Sequence, residues 1–211
     1  MHVVLTGATG EIGKCLLPLL INEEQITKIT VLTRRSLNVA HDKLTQRIID
    51  FNQLSETKIS DVDCGVCCLG TTMAKAGSKT AFEKVDFNYV VAFAKLLKQA
   101  NANQFHVVSA SGANKTSFFF YNRVKGVMEE EIRNIQFDTA CIYRPSLLDS
   151  DRSEKRSGEK IAIKVFRLIN PLFVGSLKRF KSIKTSAVAK GICNRIMKPP
   201  SGFHIIHSEV I

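Results

Sequence analysis

Short β-branched apolar runs alternate with longer amphipathic stretches over the first two-thirds of the chain. The runs fall at 3–6, 29–33, 47–51, 64–69, 105–109 and 139–143. Between them, segment 11–22 places Ile12, Leu16, Leu19 and Leu20 on one side of a helix. Segment 79–101 does the same with Phe82, Val85, Tyr89, Phe93 and Leu96. Strands that alternate with helices specify βαβ units and a parallel sheet. Right-handed crossovers then favour a doubly wound sheet between two helical layers.

Beyond residue 149 the texture changes. Segment 149–160 is polar and charge-rich and reads as a surface loop. Helical stretches follow at 160–169 and 185–197, separated by Pro171 and Gly175, and a last strand at 203–206 comes after the turn Pro199-Pro200-Ser201-Gly202. This tail is too short for an independent domain. The expectation is one domain over 1–211, with a core of about 1–150 plus the final strand. A small helical lobe, about 151–200, would cap the sheet's carboxyl edge.

Composition narrows the function classes. With 45% hydrophobic and 23% charged residues in 211 positions, the chain has the make-up of a globular protein. No apolar run approaches the ~18 residues of a membrane span. Met1 leads straight into a strand and a glycine turn, without the basic start and apolar stretch of a signal peptide. Of six cysteines, Cys64 and Cys67 have a C-x-x-C spacing, but they fall in a buried strand with no second ligand pair, so a structural role is expected. Reduced cysteines suit a cytoplasmic protein. The net charge of +11 is dispersed, with local concentrations at Lys155-Arg156 and 178–184. No aromatic-interleaved basic stripe marks a nucleic-acid binder. The basic amphipathic segment 160–169 permits contact with a membrane surface or a partner, although packing on the domain is the commoner use of such a helix.

The chemistry begins at the first turn. The strand at 3–6 runs into Gly7-Ala8-Thr9-Gly10-Glu11-Ile12-Gly13, and helical periodicity starts after Gly10. That strand–turn–helix context is what a dinucleotide-binding turn requires. Gly7 permits the sharp turn, Gly10 lets a pyrophosphate approach the backbone, and Gly13 lets the helix pack on the strand. The helix N-terminus offers N–H donors and a positive dipole to phosphates. After the second strand come Arg34 and Arg35, where an NAD-specific domain usually carries an acid. Two guanidiniums there suit the 2′-phosphate of NADPH or NADP, with NAD the weaker alternative. Asp50, ending the third strand, is a candidate for the adenine amino group or for a loop cap.

Tyr121 and Lys125 are spaced i, i+4, which puts both on one helical face. The ammonium would favour phenolate and lower the tyrosine's pKa, fitting Tyr121 for proton exchange with a substrate oxygen during hydride transfer. Ser109, at the end of the fifth run, would orient the same oxygen. In a doubly wound sheet this is the ligand-binding edge.

Together these residues resemble the atypical members of the short-chain dehydrogenase/reductase superfamily. More narrowly, CLGTTMAKAGSKTAFEKVDFNYV (68–90), SASGANKTSFFFYNRVKGVMEEE (109–131) and YRPSLLDSDR (143–152) are similar to the Tat-interacting-protein-30 (HTATIP2/CC3) family of oxidoreductase-like proteins. The resemblance covers about residues 1–155. It implies a three-layer α-β-α Rossmann fold and NADPH at the glycine turn and Arg34. Leu69, Gly70 and Thr71 would pass beside the cofactor's ribose and pyrophosphate, and Pro145 and Ser146 would border the nicotinamide. Lys125 would bridge to the ribose. Asn88 falls where related enzymes often carry an asparagine, with helix packing as an equal alternative.

Two readings follow. One is an NADPH-dependent oxidoreductase acting on a small carbonyl or alcohol, with Ser109, Tyr121 and Lys125 catalytic and no metal. The other is a redox-sensing regulator that binds NADPH with little turnover. A protein partner or a homodimer is compatible with both.

Overall fold

The computed structural model describes residues 1–149 and 182–211. Seven parallel strands form the central sheet: β1 (His2–Thr6), β2 (Lys28–Thr33), β3 (Leu44–Ile48), β4 (Cys64–Cys67), β5 (Gln104–Val108), β6 (Thr139–Arg144) and β9 (Gly202–His207). Their order is β3-β2-β1-β4-β5-β6-β9. The chain therefore runs outward from β1 through β2 to β3, then returns to place β4 on the other side of β1. That reversal opens a crevice at the carboxyl ends of β1 and β4. A separate parallel pair, β7 (Leu148–Asp149) with β8 (Ile183–Lys184), brings together the two boundaries of segment 150–181. The basic stretch 160–169 and the loop 150–160 lie outside the described residues.

Strand side chains alternate between two cores because successive Cβ atoms point to opposite faces. Val3 and Leu5 of β1 join a core with Leu16 and Leu20 of α1 (Glu11–Asn22) and Val188 and Ile192 of α6 (Thr185–Met197). Val4 joins the opposite core with Phe93 and Leu97 of α4 (Tyr89–Gln99) and Met128 and Ile132 of α5 (Phe120–Ile135). Burial on both faces explains why the strands read as near-continuous apolar runs. Among the described residues, no helix is long and apolar enough to cross a membrane.

Three local expectations change. The third strand is Leu44–Ile48 rather than 47–51, because Phe51 and Leu54 reach the core from a 3-10 turn, Phe51–Glu56, capped by Asp50. As an edge strand, β3 carries the mixed sequence LTQRI, and its neighbourhood outweighs its low apolar content. The helix expected over 79–101 runs without a break over 79–99 but carries a π-helical segment (Lys84–Asn88) between α3 (Lys79–Glu83) and α4, and is preceded by the single turn α2 (Met73–Ala76). The π widening repositions Asp86 within an otherwise α-helical stretch. Finally, α6 occupies the residues expected, 185–197, but packs on α1 within a helical layer instead of capping the sheet edge. It precedes β9, which lies parallel to β6, and parallel neighbours require a crossover that covers a sheet face.

Close packing extends to α5. A Cβ at Gly126 would lie 2.2 Å from the backbone carbon of Asn114 and the backbone nitrogen of Lys115. Gly126→Ala should therefore lower stability by about 1–3 kcal/mol, seen as a lower denaturant midpoint. Val127→Ala, at a position 37% exposed on the same helix, should change it little.

Candidate functional site

The loops after β1 and β4 abut at the crevice. Gly7 has φ +77°, and a Cβ there would stand 2.4 Å from the Cys68 carbonyl carbon and oxygen. A Cβ on Gly13 would stand 2.2 Å from the Gly7 carbonyl oxygen, so α1 can start this close to the turn only with glycine. Ala8 and Ile12 anchor the turn in the core, while Thr9, Gly10 and Glu11 are exposed. Gly10 is the N-cap of α1 and supplies no side-chain bond, which leaves the first-turn N–H groups for a ligand. A backbone cradle with no side chain in it, at the positive end of a 12-residue helix, fits a pyrophosphate.

Arg34 and Arg35 follow β2 and are exposed. Their turn is held by Thr33, whose hydroxyl donates to the Arg35 carbonyl at 2.8 Å. Beside them a groove of about 680 Å³ runs between α1 and the loop after β2, with Thr9, Lys14 and Ser36 among its lining. Lys14 and Ser36 escaped sequence reasoning because α1 and the loop after β2 come together in one groove only in the folded chain. Asp50 acts as a loop cap: its Oδ1 accepts from the Asn52 N–H at 2.9 Å and from Asn52 Nδ2 at 2.8 Å.

Leu69, Gly70 and Thr71 carry the chain out of β4. The Thr71 N–H donates to Asp86 Oδ2 at 2.8 Å. The other carboxylate oxygen, Oδ1, lies 2.7 Å from Lys125 Nζ. Both side chains are buried, 4% and 1% exposed. Asp86 thus ties the β4 loop to α5, and Asn88, two residues on, is exposed. The sequence did carry a signal for Asp86. It is an acid in a helical stripe whose neighbours at i−4, i+4 and i+8 are Phe82, Val90 and Ala94, all buried. Burying a charge there requires a buried partner.

Tyr121 opens α5, 36% exposed, with its ring 5.3 Å from that of Phe82. Lys125 lies one turn further, so the structure brings Tyr121, Lys125 and Asp86 together. Burial alone would depress the Lys125 pKa, but the Asp86 carboxylate overcomes this and holds it above the ordinary value. For Tyr121, burial raises the pKa, Lys125 pulls it down and Asp86 pushes it up, with a net upward shift. The expected lowering by Lys125 is present but is outweighed by burial, so the pKa stays above its ordinary value.

Ser109 is buried at the end of β5, and its hydroxyl donates to Glu129 Oε1 at 2.5 Å. Arg144, ending β6, clamps the same carboxylate through Nε at 3.0 Å and a second guanidinium nitrogen. Glu129 stands eight residues beyond Tyr121 on α5, so Ser109 is tied to a turn two away from the tyrosine. Pro145 is buried, and its carbonyl accepts from the Ser111 N–H at 3.0 Å, linking the loops after β5 and β6. Glu129 and Arg144 were also missed as a pair; their contact joins elements that only the fold makes adjacent. Cys64 and Cys67 belong to opposite cores, one on each face of β4, so they cannot share an ion.

Comparison with known proteins agrees with this geometry. A family model described as NAD(P)H-binding matches residues 7–163. The rat Protein HTATIP2 is 34% identical over 205 residues, covering 95% of this chain and 83% of that protein. Protein fmp52, mitochondrial, of Aspergillus niger is 28% identical over 209 residues, covering 95% and 89%. Among solved structures, human epimerase family protein SDR39U1 with NADPH superposes with a TM-score of 0.67 at 15% identity, covering 98% of this chain and 74% of that one. MoeE5 with UDP-glucuronic acid and NAD gives 0.72 at 14%, covering 97% and 75%. These two share the fold. The crevice, its glycine cradle and the match over most of the sequence lead to one conclusion: the chain belongs to the NAD(P)H-binding family of Rossmann-fold, oxidoreductase-like proteins.

Proposed function

We propose that the protein is an NADPH-dependent oxidoreductase of the short-chain dehydrogenase/reductase type acting on a small carbonyl or alcohol. The observation that carries this reading is the placement of Tyr121 one helical turn before the buried Lys125, at the sheet edge that also holds the glycine cradle. Residues 7–13 would hold the pyrophosphate, and Arg34 and Arg35 would hold a 2′-phosphate. Leu69, Gly70 and Thr71 would pass beside the ribose and pyrophosphate, and Pro145 would border the nicotinamide. When bound, the reduced nicotinamide supplies a hydride, and with it two electrons, to the carbonyl carbon. Tyr121 supplies the proton to the carbonyl oxygen as the C=O π pair moves onto it, and later regains a proton from solvent. Lys125 orients the phenol and reaches toward the ribose.

Ser109 enters this scheme with its hydroxyl hydrogen engaged by Glu129, so it offers lone pairs to a substrate hydroxyl. That engagement is also the one observation favouring the second reading, an NADPH-binding sensor with little turnover. We read the chain as one domain, with α6 and β9 part of its core. All six cysteines are unpaired, which suits a thiol-reducing compartment. We place the protein in the cytoplasm; the mitochondrial label of the fungal relative supplies the competing location.

Two measurements test the proposal. Tyr121→Phe should reduce kcat for carbonyl reduction by about 10²–10⁴-fold while NADPH affinity stays within a few-fold. A broad carbonyl panel with tight NADPH binding and no wild-type turnover would sink the enzyme reading in favour of the sensor. Arg34→Ala should weaken NADPH by about 10-fold or more and leave NADH nearly unchanged. Equal losses would mean the second-strand arginines do not read the 2′-phosphate.

A further inference from the structure

We propose that Lys79 and Arg123 form a cationic rim beside Tyr121 that selects a carboxylate-bearing carbonyl compound, an oxo acid with an apolar body, as substrate. This rests on the oxidoreductase reading and names a substrate class for it.

The rim is built where α3 meets the first turn of α5. Lys79 and Phe82 are spaced i, i+3 on α3, so they share one face. Phe120 and Arg123 have the same spacing on α5. Phe82 joins the two helices: its buried ring lies 5.9 Å from that of Phe120 and 5.3 Å from that of Tyr121. Lys79 Nζ stands 5.5 Å from the centre of the Phe120 ring, and the Arg123 guanidinium carbon stands 5.9 Å from it. Two cations thus converge on one ring. Tyr121 follows that ring directly in the chain, with Cα atoms about 3.8 Å apart.

Neither cation forms an ion pair among the described residues, and Glu83, four residues after Lys79, makes none with it. Arg123 uses one terminal nitrogen to donate to the Ser117 and Phe118 carbonyls, at 2.8 and 3.2 Å. Its other terminal nitrogen and its Nε have no hydrogen-bond partner among the described residues. The buried charges beside Tyr121, Asp86 and Lys125, pair with each other at 2.7 Å and leave the positive potential to the rim. Phe118 and Phe119, 93% and 69% exposed, add apolar surface just before Phe120.

Rings with cations at their edge suit a ligand that is apolar along its body and negative at one end. An aldehyde or ketone with its carbonyl at Tyr121 would lay that body against Phe82 and Phe120. A carboxylate at its far end would then meet Lys79 and Arg123. The rim fits a carboxylate rather than a phosphate. Two separate side-chain cations match a single negative charge, whereas the turn at residues 7–13 offers a phosphate backbone N–H groups at a helix N-terminus.

The test compares terephthalaldehydic acid, a benzaldehyde with a para carboxylate, with the corresponding neutral carboxamide, each reduced with NADPH at low ionic strength. Wild type should show a kcat/KM about tenfold higher for the acid, carried by KM, and added salt should shrink the preference. Lys79→Gln should lower the acid-to-amide ratio about threefold, and the charge reversal Lys79→Glu about tenfold or more. Lys79 is exposed, and its ammonium is hydrogen-bonded to no group among the described residues, so both variants should fold, as circular dichroism checks. Arg123→Lys, which keeps the charge, should hold the ratio near wild type, while Arg123→Gln should lower it about threefold. Equal kcat/KM for the two compounds in wild type, or an unchanged ratio in Lys79→Glu, would overturn the proposal. If neither compound is turned over, fluorescence titration of the NADPH complex with each one decides. Selective binding of the acid that Lys79→Glu abolishes would leave the rim standing while the oxidoreductase reading fails. Equal binding, or none, would overturn the rim.

Discussion

The approach of backbone to backbone at the carboxyl ends of β1 and β4 governs what the rest of the molecule can do. The Gly7 turn leans on the Cys68 carbonyl, and α1 begins against the Gly7 carbonyl. No side chain intervenes at either contact. A side chain at Gly7 or Gly13 would push α1 away from the strand, and its N–H donors would lose the geometry that receives a phosphate. The strand order makes this the place where the chain reverses its path across the sheet, so a crevice has to open there.

Two buried ionic clusters then fix α5 over that crevice. Asp86 ties Lys125 to the β4 loop, while Arg144 and Ser109 hold Glu129 two turns from Tyr121. Buried ion pairs are weak contributors to stability compared with apolar side chains of equal size. Their use here is directional. They set the rotation and depth of α5, which a layer of Val124, Met128 and Ile132 would specify only loosely. Electrostatics in this site is a property of the cluster: burial raises the Tyr121 pKa, while Lys125 and Asp86 act on it in opposite senses.

The glycine turn, the arginines after β2, the strand–helix alternation and the Tyr121–Lys125 spacing were legible because each depends on residues close in sequence. Local periodicity also located α1 and α6. Where it misled, tertiary packing was responsible. Phe51 looked like the end of a strand, yet it fills the core from a 3-10 turn. The stripe over 79–101 looked like one helix, yet Asp86 is turned inward by a π segment to meet a lysine some forty residues on. The last helix looked like part of a cap because nothing local says which layer it joins.

The sequence by itself therefore determined the class of fold and the position of the phosphate-binding turn, since hydrophobic period and glycine spacing act over a few residues. It also marked Tyr121 and Lys125 as a facing pair. Only the tertiary structure decided what those residues face. Asp86, Glu129 and Arg144 come from elements that touch through sheet order alone, and charge interactions depend on distance in space. The protonation state of Tyr121 is thus a consequence of the fold.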